Sequence, residues 1–293
     1  LGIDFVDRGD LSIGEESTLA GGLKNFDPAF ENFAQTRNQV REACANGSKV
    51  ILIGGDHSNS IGSVSGAMSV FGEDLAVLWI DAHMDINTPA TSPSGNLHGM
   101  VLGALMQLPF AVESGTTGLY QKGVADEQWS RLTTDIVGNP ALNPKSVGWF
   151  AVRDVDQGEK DAYHSFEGGC MATMYDIDRH GIVEMVNRID GWLKRIGAKK
   201  LWISFDVDSL DPFLAPGTGT AVRGGLTYRE MHVMGELLHE LLENPISPYT
   251  LAGLDIVEIN PIVDTNNATA KTAVEWIASL FGKTILGRSA PIP

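Results

Sequence analysis

Asp81, His83 and Asp85 alternate within Asp81-Ala82-His83-Met84-Asp85, directly after the unbroken apolar run Leu75 to Ile80. Carboxylates and an imidazole so spaced suit a divalent ion with oxygen and nitrogen preference, Mn²⁺ among them. An extended chain past Ile80 puts side chains two residues apart on one face. The three then converge at the carboxyl end of a strand buried on both faces, where open α/β sheets hold ligands. A second alternating pair, Asp206 and Asp208, follows the apolar run Leu201 to Phe205, and His57 follows the short run Lys49 to Ile53. Each also has a purely structural reading: Asp81 as a strand-end cap, Asp208 or Asp211 as a turn former before Pro212, His57 as a satisfied core histidine. Their shared position at strand ends favours the ligand reading. Four Asp and two His suit two divalent ions that share a bridging oxygen, activate water and stabilise developing charge.

The elements that must position these groups alternate along the chain. Asp27-Pro28 reads as an N-cap and first helical residue, opening a helix to about Ala45 that stops near Asn46-Gly47. Lys49 to Ile53 is a strand, Ser60 to Phe71 a helix, Leu75 to Ile80 a strand and Leu97 to Met106 a helix. Ser146 to Val152 is a strand, Gln157 to Ser165 a helix, Ala172 to Tyr175 a strand and Asp178 to Ile196 an amphipathic helix ending near Gly197. Lys200 to Phe205 is a strand; Thr227 to Leu242 is a helix with a capping-box start at Thr227 and Glu230. Tyr249 to Val257 is a strand carrying Glu258 at its end, and Ala268 to Phe281 is the last helix. Leu1 to Leu23 reads as loop, and Glu113 to Asn143 is the least readable stretch, with turns at Gly115, Gly118 and Gly123. The alternation predicts an α/β class with a mainly parallel sheet, in a single domain over residues 1–293.

Composition narrows the function. With 43% apolar residues the chain has enough to bury a large core. No run approaches the roughly 18 apolar residues of a membrane span, so no membrane partner is expected. A formal net charge of −16 argues against nucleic acid, whose phosphates need clustered Lys and Arg, and is compatible with a cationic small substrate. Leu1 to Asp10 lack a signal-peptide pattern, and Cys44 and Cys170 are the two cysteines; both point to a reducing, cytoplasmic setting.

Three motifs then resemble a known family: Gly54-Gly55-Asp56-His57-Ser58, Asp81-Ala82-His83-Met84-Asp85 and Ser204-Phe205-Asp206-Val207-Asp208-Ser209-Leu210-Asp211-Pro212. In order and spacing they are similar to those of the ureohydrolases, and within them of the arginases, from about Asp27 to Leu286. The resemblance implies a three-layer α/β/α fold around a mainly parallel eight-stranded sheet, two Mn²⁺ per chain and a homotrimer or homohexamer. His57, Asp81, Asp85 and Asp206 would serve one ion. Asp81, His83, Asp206 and Asp208 would serve the other, with Asp81 and Asp206 bridging. The implied reaction is hydrolysis of L-arginine to L-ornithine and urea by a metal-bridging hydroxide, with Asp85 orienting that hydroxide.

Agmatinases typically carry Asp-Thr-Tyr where this chain has Asp85-Ile86-Asn87, and they lack the run Ser94-Gly95-Asn96-Leu97-His98-Gly99. By resemblance Asn87, Ser92, Ser94 and Asn96 would hold the α-carboxylate and α-amino group. Asp156 and Glu159, in Arg153-Asp154-Val155-Asp156-Gln157-Gly158-Glu159, would lie near the α-amino group. Thr220 and Glu258 match pocket positions, with Glu258 a carboxylate for the guanidinium. His98 would return a proton to the leaving amine, since an imidazole of pKa about 6.5 exchanges protons near neutrality. Without the resemblance, Asn87 and Ser94 read as turn formers and His98 as a helix-start residue; His164, His180, His232 and His239 read as bystanders. The chain departs from the family at Met84, where a small or hydroxylated residue is usual, and at Ala221, where Pro is usual. The family's first strand is expected to fall upstream of Leu1, and the tail Gly287 to Pro293 is short. Alternative readings are a guanidino hydrolase acting on agmatine or guanidinobutyrate, a non-catalytic regulatory oligomer of the same fold, and a deacetylase-like amidohydrolase.

Overall fold

The computed structural model describes residues 3–110 and 123–285. Leu1, Gly2, Gly115, Gly118 and the tail from Leu286 onward lie outside the described residues. Helix α1 (Phe26–Ala45) precedes β1 (Val50–Ile53), α2 (Ser60–Phe71) and β2 (Leu75–Ile80). A 3₁₀ turn at Leu97–Met100 leads into α3 (Val101–Leu105), and α4 (Val124–Arg131) continues into a wider π-type turn at Leu132–Val137. Then follow β3 (Val147–Val152), α5 (Gln157–His164), β4 (Cys170–Thr173), α6 (Met174–His180), α7 (Ile182–Ile196), β5 (Lys200–Asp206), α8 (Tyr228–Leu242), β6 (Thr250–Val257) and α9 (Ala268–Leu280).

The strands form one sheet in the order β1-β6-β5-β2-β3-β4, and every pairing is parallel. The described residues therefore show six strands where the resemblance implies eight; the class is as expected. Alternation along β2 explains the layering. Ala76, Leu78 and Ile80 enter a core shared with α6 to α9, whereas Leu75, Val77 and Trp79 enter one shared with α1 to α4. A sheet apolar on both faces must be covered on both, which gives three layers, α/β/α.

Chain direction reverses between β2 and β5. From β2 the chain moves outward to β3 and β4, and from β5 it moves the other way to β6. The crevice at their carboxyl ends is the switch point where open α/β sheets bind ligands. Register fixes its depth: Ile80 lies opposite Phe205, so Asp81 and Asp206 emerge together.

Several boundaries differ from expectation for identifiable reasons. Helix α1 starts at Phe26 with Asn25 as its cap, not at Asp27; Asp27 and Pro28 instead fill the first turn, where backbone N–H groups have no helical acceptor. Strand β4 lies two residues earlier than Ala172 to Tyr175, because Thr173 and Asp176 form a capping box that turns the chain into α6. The single helix expected over Asp178 to Ile196 is two helices, divided by Gly181 at φ 81°.

Candidate active site

Three strand ends and the turn after β1 build the site. Asp81 leaves β2 still tied to the sheet, its N–H donating to the Phe150 carbonyl at 2.9 Å. The chain does not stay extended beyond it: residues 81–83 bend, and Asp85 adopts φ 53°. Asp81, His83 and Asp85 therefore do not line one face of a strand, as the simple alternation predicts. The bend separates them into two groups that share Asp81. In the first, His57 Nδ1 lies 3.0 Å from Asp81 Oδ2, 3.3 Å from Asp85 Oδ2 and 3.1 Å from Asp206 Oδ2. In the second, His83 Nδ1 lies 3.3 Å from Asp81 Oδ1 and 3.1 Å from Asp208 Oδ2. Non-glycine residues at positive φ are strained by about 1–3 kcal/mol each and cluster at functional sites. Asp85 and Glu258 (φ 64°) are both of this kind. Backbone bonds hold them there: Leu102 N–H to the Asp85 carbonyl, and Glu258 N–H to the Gly55 carbonyl, both at 2.8 Å.

The residues fit a pair of divalent ions. His57, Asp81 and Asp85 present donor atoms within 4.8 Å of one another, and so do Asp81, His83 and Asp208. His57 Nδ1 and Asp81 Oδ2 are buried and meet only other members of this acid–imidazole cluster, an arrangement that coordination would complete. His57 is orientated from behind. Its Nε2 meets Ser204 Oγ at 2.8 Å, its ring stacks on Trp79 with centroids 4.0 Å apart, and Ser204 adjoins Ser60, which donates to Asp255. Fixing one imidazole nitrogen leaves the other aimed at the carboxylates.

Electrostatics report the same crowding. Burial and the charge of neighbouring Asp residues push Asp206 well up from the ordinary carboxylate range, and Asp208 up as well. Burial and the charge of Asp81 do the same to Asp85. Burial opposes charge on His57 and His83, yet hydrogen bonds and charges from the carboxylates raise them to about 9 and about 12. Asp81 is driven the other way, below its usual range: both imidazoles hydrogen-bond it and outweigh its burial. A cavity that forces carboxylates to hold protons is suited to trading those protons for cations.

The remaining predicted residues surround this centre. His98 sits on the 3₁₀ turn before α3, its Nδ1 3.2 Å from Glu258 Oε1, which also accepts the His57 N–H at 2.9 Å. Burial works against both charges, but that contact raises the pKa of His98 and lowers that of Glu258. Thr220 donates to Asp208 Oδ2 at 2.7 Å. Asn87 donates to Asp156 Oδ2 at 3.1 Å, while its own Oδ1 is buried without a partner. Glu159 accepts from Ile86 N–H and Asp156 N–H, and burial pushes it up to about 7 despite those bonds. Ser92, Ser94 and Asn96 lie on the loop before the His98 turn. His164, His232 and His239 bond outside this site, as expected of bystanders. Met84 is 3% exposed and packs in the core on the α1–α4 face.

Other contributors were not evident from the chain alone. Arg153 has its guanidinium wrapped by carbonyls, among them Asp208 at 2.6 Å and Val222 at 2.7 Å, and so anchors the loop that carries Thr220. Gly103 lets α3 lie on the pocket, since a Cβ there would stand 2.2 Å from the Asn87 carbonyl oxygen. Lys24 reaches the 92–96 loop from the turn before α1. A buried cluster of acidic and imidazole groups at the switch point of an α/β/α sheet defines a metal-dependent class of protein.

The family model described as Arginase family matches residues 2–282. An arginase of Staphylococcus aureus (strain COL) is 34% identical over 98% of this chain and 86% of its own. The solved arginase of Bacillus caldovelox superposes with a TM-score of 0.81 at 34% identity, over 95% of this chain and 85% of that one. Entamoeba histolytica arginase, solved in complex with L-ornithine, gives 0.73 at 25% identity, over 93% and 82%. The chain belongs to the arginase family.

Proposed function

We propose that the protein hydrolyses the guanidinium group of L-arginine, giving L-ornithine and urea, at two Mn²⁺ ions. The observation that carries this reading is Asp81, whose carboxylate is shared between two separate acid–imidazole groups. His57, Asp81, Asp85 and Asp206 would hold one ion, and Asp81, His83, Asp206 and Asp208 the other. Paired divalent ions supply a water of lowered pKa at neutral pH, which a delocalised, poorly electrophilic guanidinium requires. Asp85 would accept a hydrogen bond from that water and orient it. Glu258, kept ionised by His98 and the His57 N–H, would pair with the guanidinium. His98, held protonated by Glu258, would give a proton to the departing amine.

Substrate choice rests on the polar groups beyond the metals. Ser92 Oγ accepts from Gly95 N–H at 3.0 Å and Ser94 Oγ accepts from Asn96 N–H at 3.2 Å, so both hydroxyl hydrogens are free to donate. Asn87 Oδ1, Asp156 and Glu159 supply acceptors. A donor pole beside an acceptor pole suits the α-carboxylate and α-ammonium of an amino acid, and the L-ornithine bound to the E. histolytica relative supports it. Agmatine lacks the carboxylate. Met84 is buried in the core on the α1–α4 face, which supports the same choice of substrate.

The two cysteines, both free, support a cytoplasmic location; no described helix is long and apolar enough to cross a membrane. We further take the chain to be one domain that assembles as a homotrimer or homohexamer. The test is urea release with Mn²⁺ present, measured side by side for L-arginine, agmatine and guanidinobutyrate. Arginine is expected to lead by about 10²–10³-fold in kcat/KM, less than a dry pocket would give because Ser94 and Asp156 are exposed. Equal efficiency on arginine and agmatine would overturn the assignment.

A further inference from the structure

The geometry points to Lys24 as a specificity-determining residue, one that turns the 92–96 loop into a carboxylate-binding surface. This rests on the amino-acid substrate proposed above. Lys24 lies on the turn before α1, next to Leu23, which is fully buried and donates its N–H to Gln128 Oε1 at 2.7 Å. Phe26, 1% exposed, anchors the other side of the turn. The backbone of an exposed lysine is thus held firmly. Its Nζ donates to the Ser94 carbonyl and to Asn96 Oδ1, each at 2.8 Å.

The second of these bonds matters most. An asparagine amide presents either an acceptor or two donors, depending on which way it is turned. Because Lys24 engages Asn96 Oδ1, the amide nitrogen is left to face elsewhere. Ser92 and Ser94 each use an acceptor position within the loop and keep their hydroxyl hydrogens to donate. The ammonium keeps a third hydrogen and a full positive charge beside them. Several donors beside one cation suit a carboxylate, which only accepts. Among the described residues no other Lys or Arg side chain hydrogen-bonds to residues 86–99.

The test compares Lys24→Met and Lys24→Arg with the parent in the full-length, metal-loaded protein. Calorimetry follows binding of L-ornithine and of putrescine, which is ornithine without its carboxylate; arginine kinetics are measured alongside. Lys24→Met is expected to weaken ornithine and raise KM for arginine by about tenfold, the scale of a partly exposed charged hydrogen bond. Putrescine affinity and kcat should stay near the parent values, and Lys24→Arg should recover most of the loss. Unchanged ornithine affinity in Lys24→Met overturns the inference. So does an equal loss for putrescine, which would mean that the loop has merely slackened. A parent protein that binds ornithine no better than putrescine overturns it as well. If the parent binds ornithine selectively yet releases no urea from arginine, the hydrolase reading falls and the role of Lys24 stands.

Discussion

His98 and Glu258 share a carboxylate–imidazole contact of 3.2 Å at the edge of the carboxylate cluster. His98→Asn keeps a polar group but removes the titratable imidazole that can take up and release a proton near neutrality. Turnover is expected to fall by roughly 10²–10⁴-fold with metal content intact; unchanged kcat from neutral to mildly alkaline pH would show that water carries the proton. Glu159 offers a pH test. Its folded pKa is raised from 4.5 to about 7, so between those values the folded protein binds more protons than the unfolded. Its contribution is fully present below the unfolded pKa and is lost as pH rises through about 7, a slope worth on the order of 3 kcal/mol at most. Glu159→Gln should flatten that loss in denaturant titrations of the metal-free protein. An unaltered slope would mean that Glu159 ionises normally.

At the scale of elements, α2 carries the His57 turn at its start and leans on α1. A Cβ at Gly66 would stand 2.7 Å from the Arg37 carbonyl and 2.9 Å from Val40 Cβ, both on α1. Gly66→Ala gains about 1 kcal/mol of helix propensity, but overpacking costs about 1–3 kcal/mol. A net loss of stability is expected by chemical denaturation, together with weaker metal binding as the His57 turn shifts. A stabilised variant would show that the helices have room. The chain reveals this element pattern well where periodicity and punctuation agree. Helix α2 and strand β2 fall where expected, because an apolar run of strand length leaves few alternatives. It misleads where tertiary packing decides. Gly181 ends α6 although the apolar stripe continues into α7. Helix α4 and the turn after it, where Trp129 and Leu132 reach the core, lie in a stretch of mixed polarity without clear caps. The candidate ligands were legible because type, spacing and strand-end position coincide. Lys24 and Arg153 were not, since their partners are carbonyls and a side chain distant in sequence.

Across the whole molecule, 37 acidic residues against 21 basic ones set a negative field, and the switch point concentrates it where water is excluded. Without ions, burial and mutual repulsion hold Asp85, Asp206 and Asp208 above their ordinary range. Raised folded pKa values mean that their contribution to stability is present in acid and is lost as pH rises through those values. Divalent ions reverse the sign, because ligands must lose their protons to coordinate. The increment in Tm on adding Mn²⁺ should therefore be small near about pH 5 and grow toward about pH 8. At a free ion concentration about 100 times Kd, each site adds roughly 2.7 kcal/mol, so two sites should roughly double the effect of one. Taking the increment at each pH, rather than Tm itself, cancels the repulsion among surface charges that both forms share. Metal analysis at saturation should approach two equivalents. Asp206→Asn should lower that number and shrink the increment, since Asp206 Oδ2 faces His57 while its Oδ1 accepts the Asp208 N–H at 2.7 Å. A single equivalent in the parent, or an increment that shrinks as pH rises, would defeat the two-ion reading while leaving the fold and family as they stand.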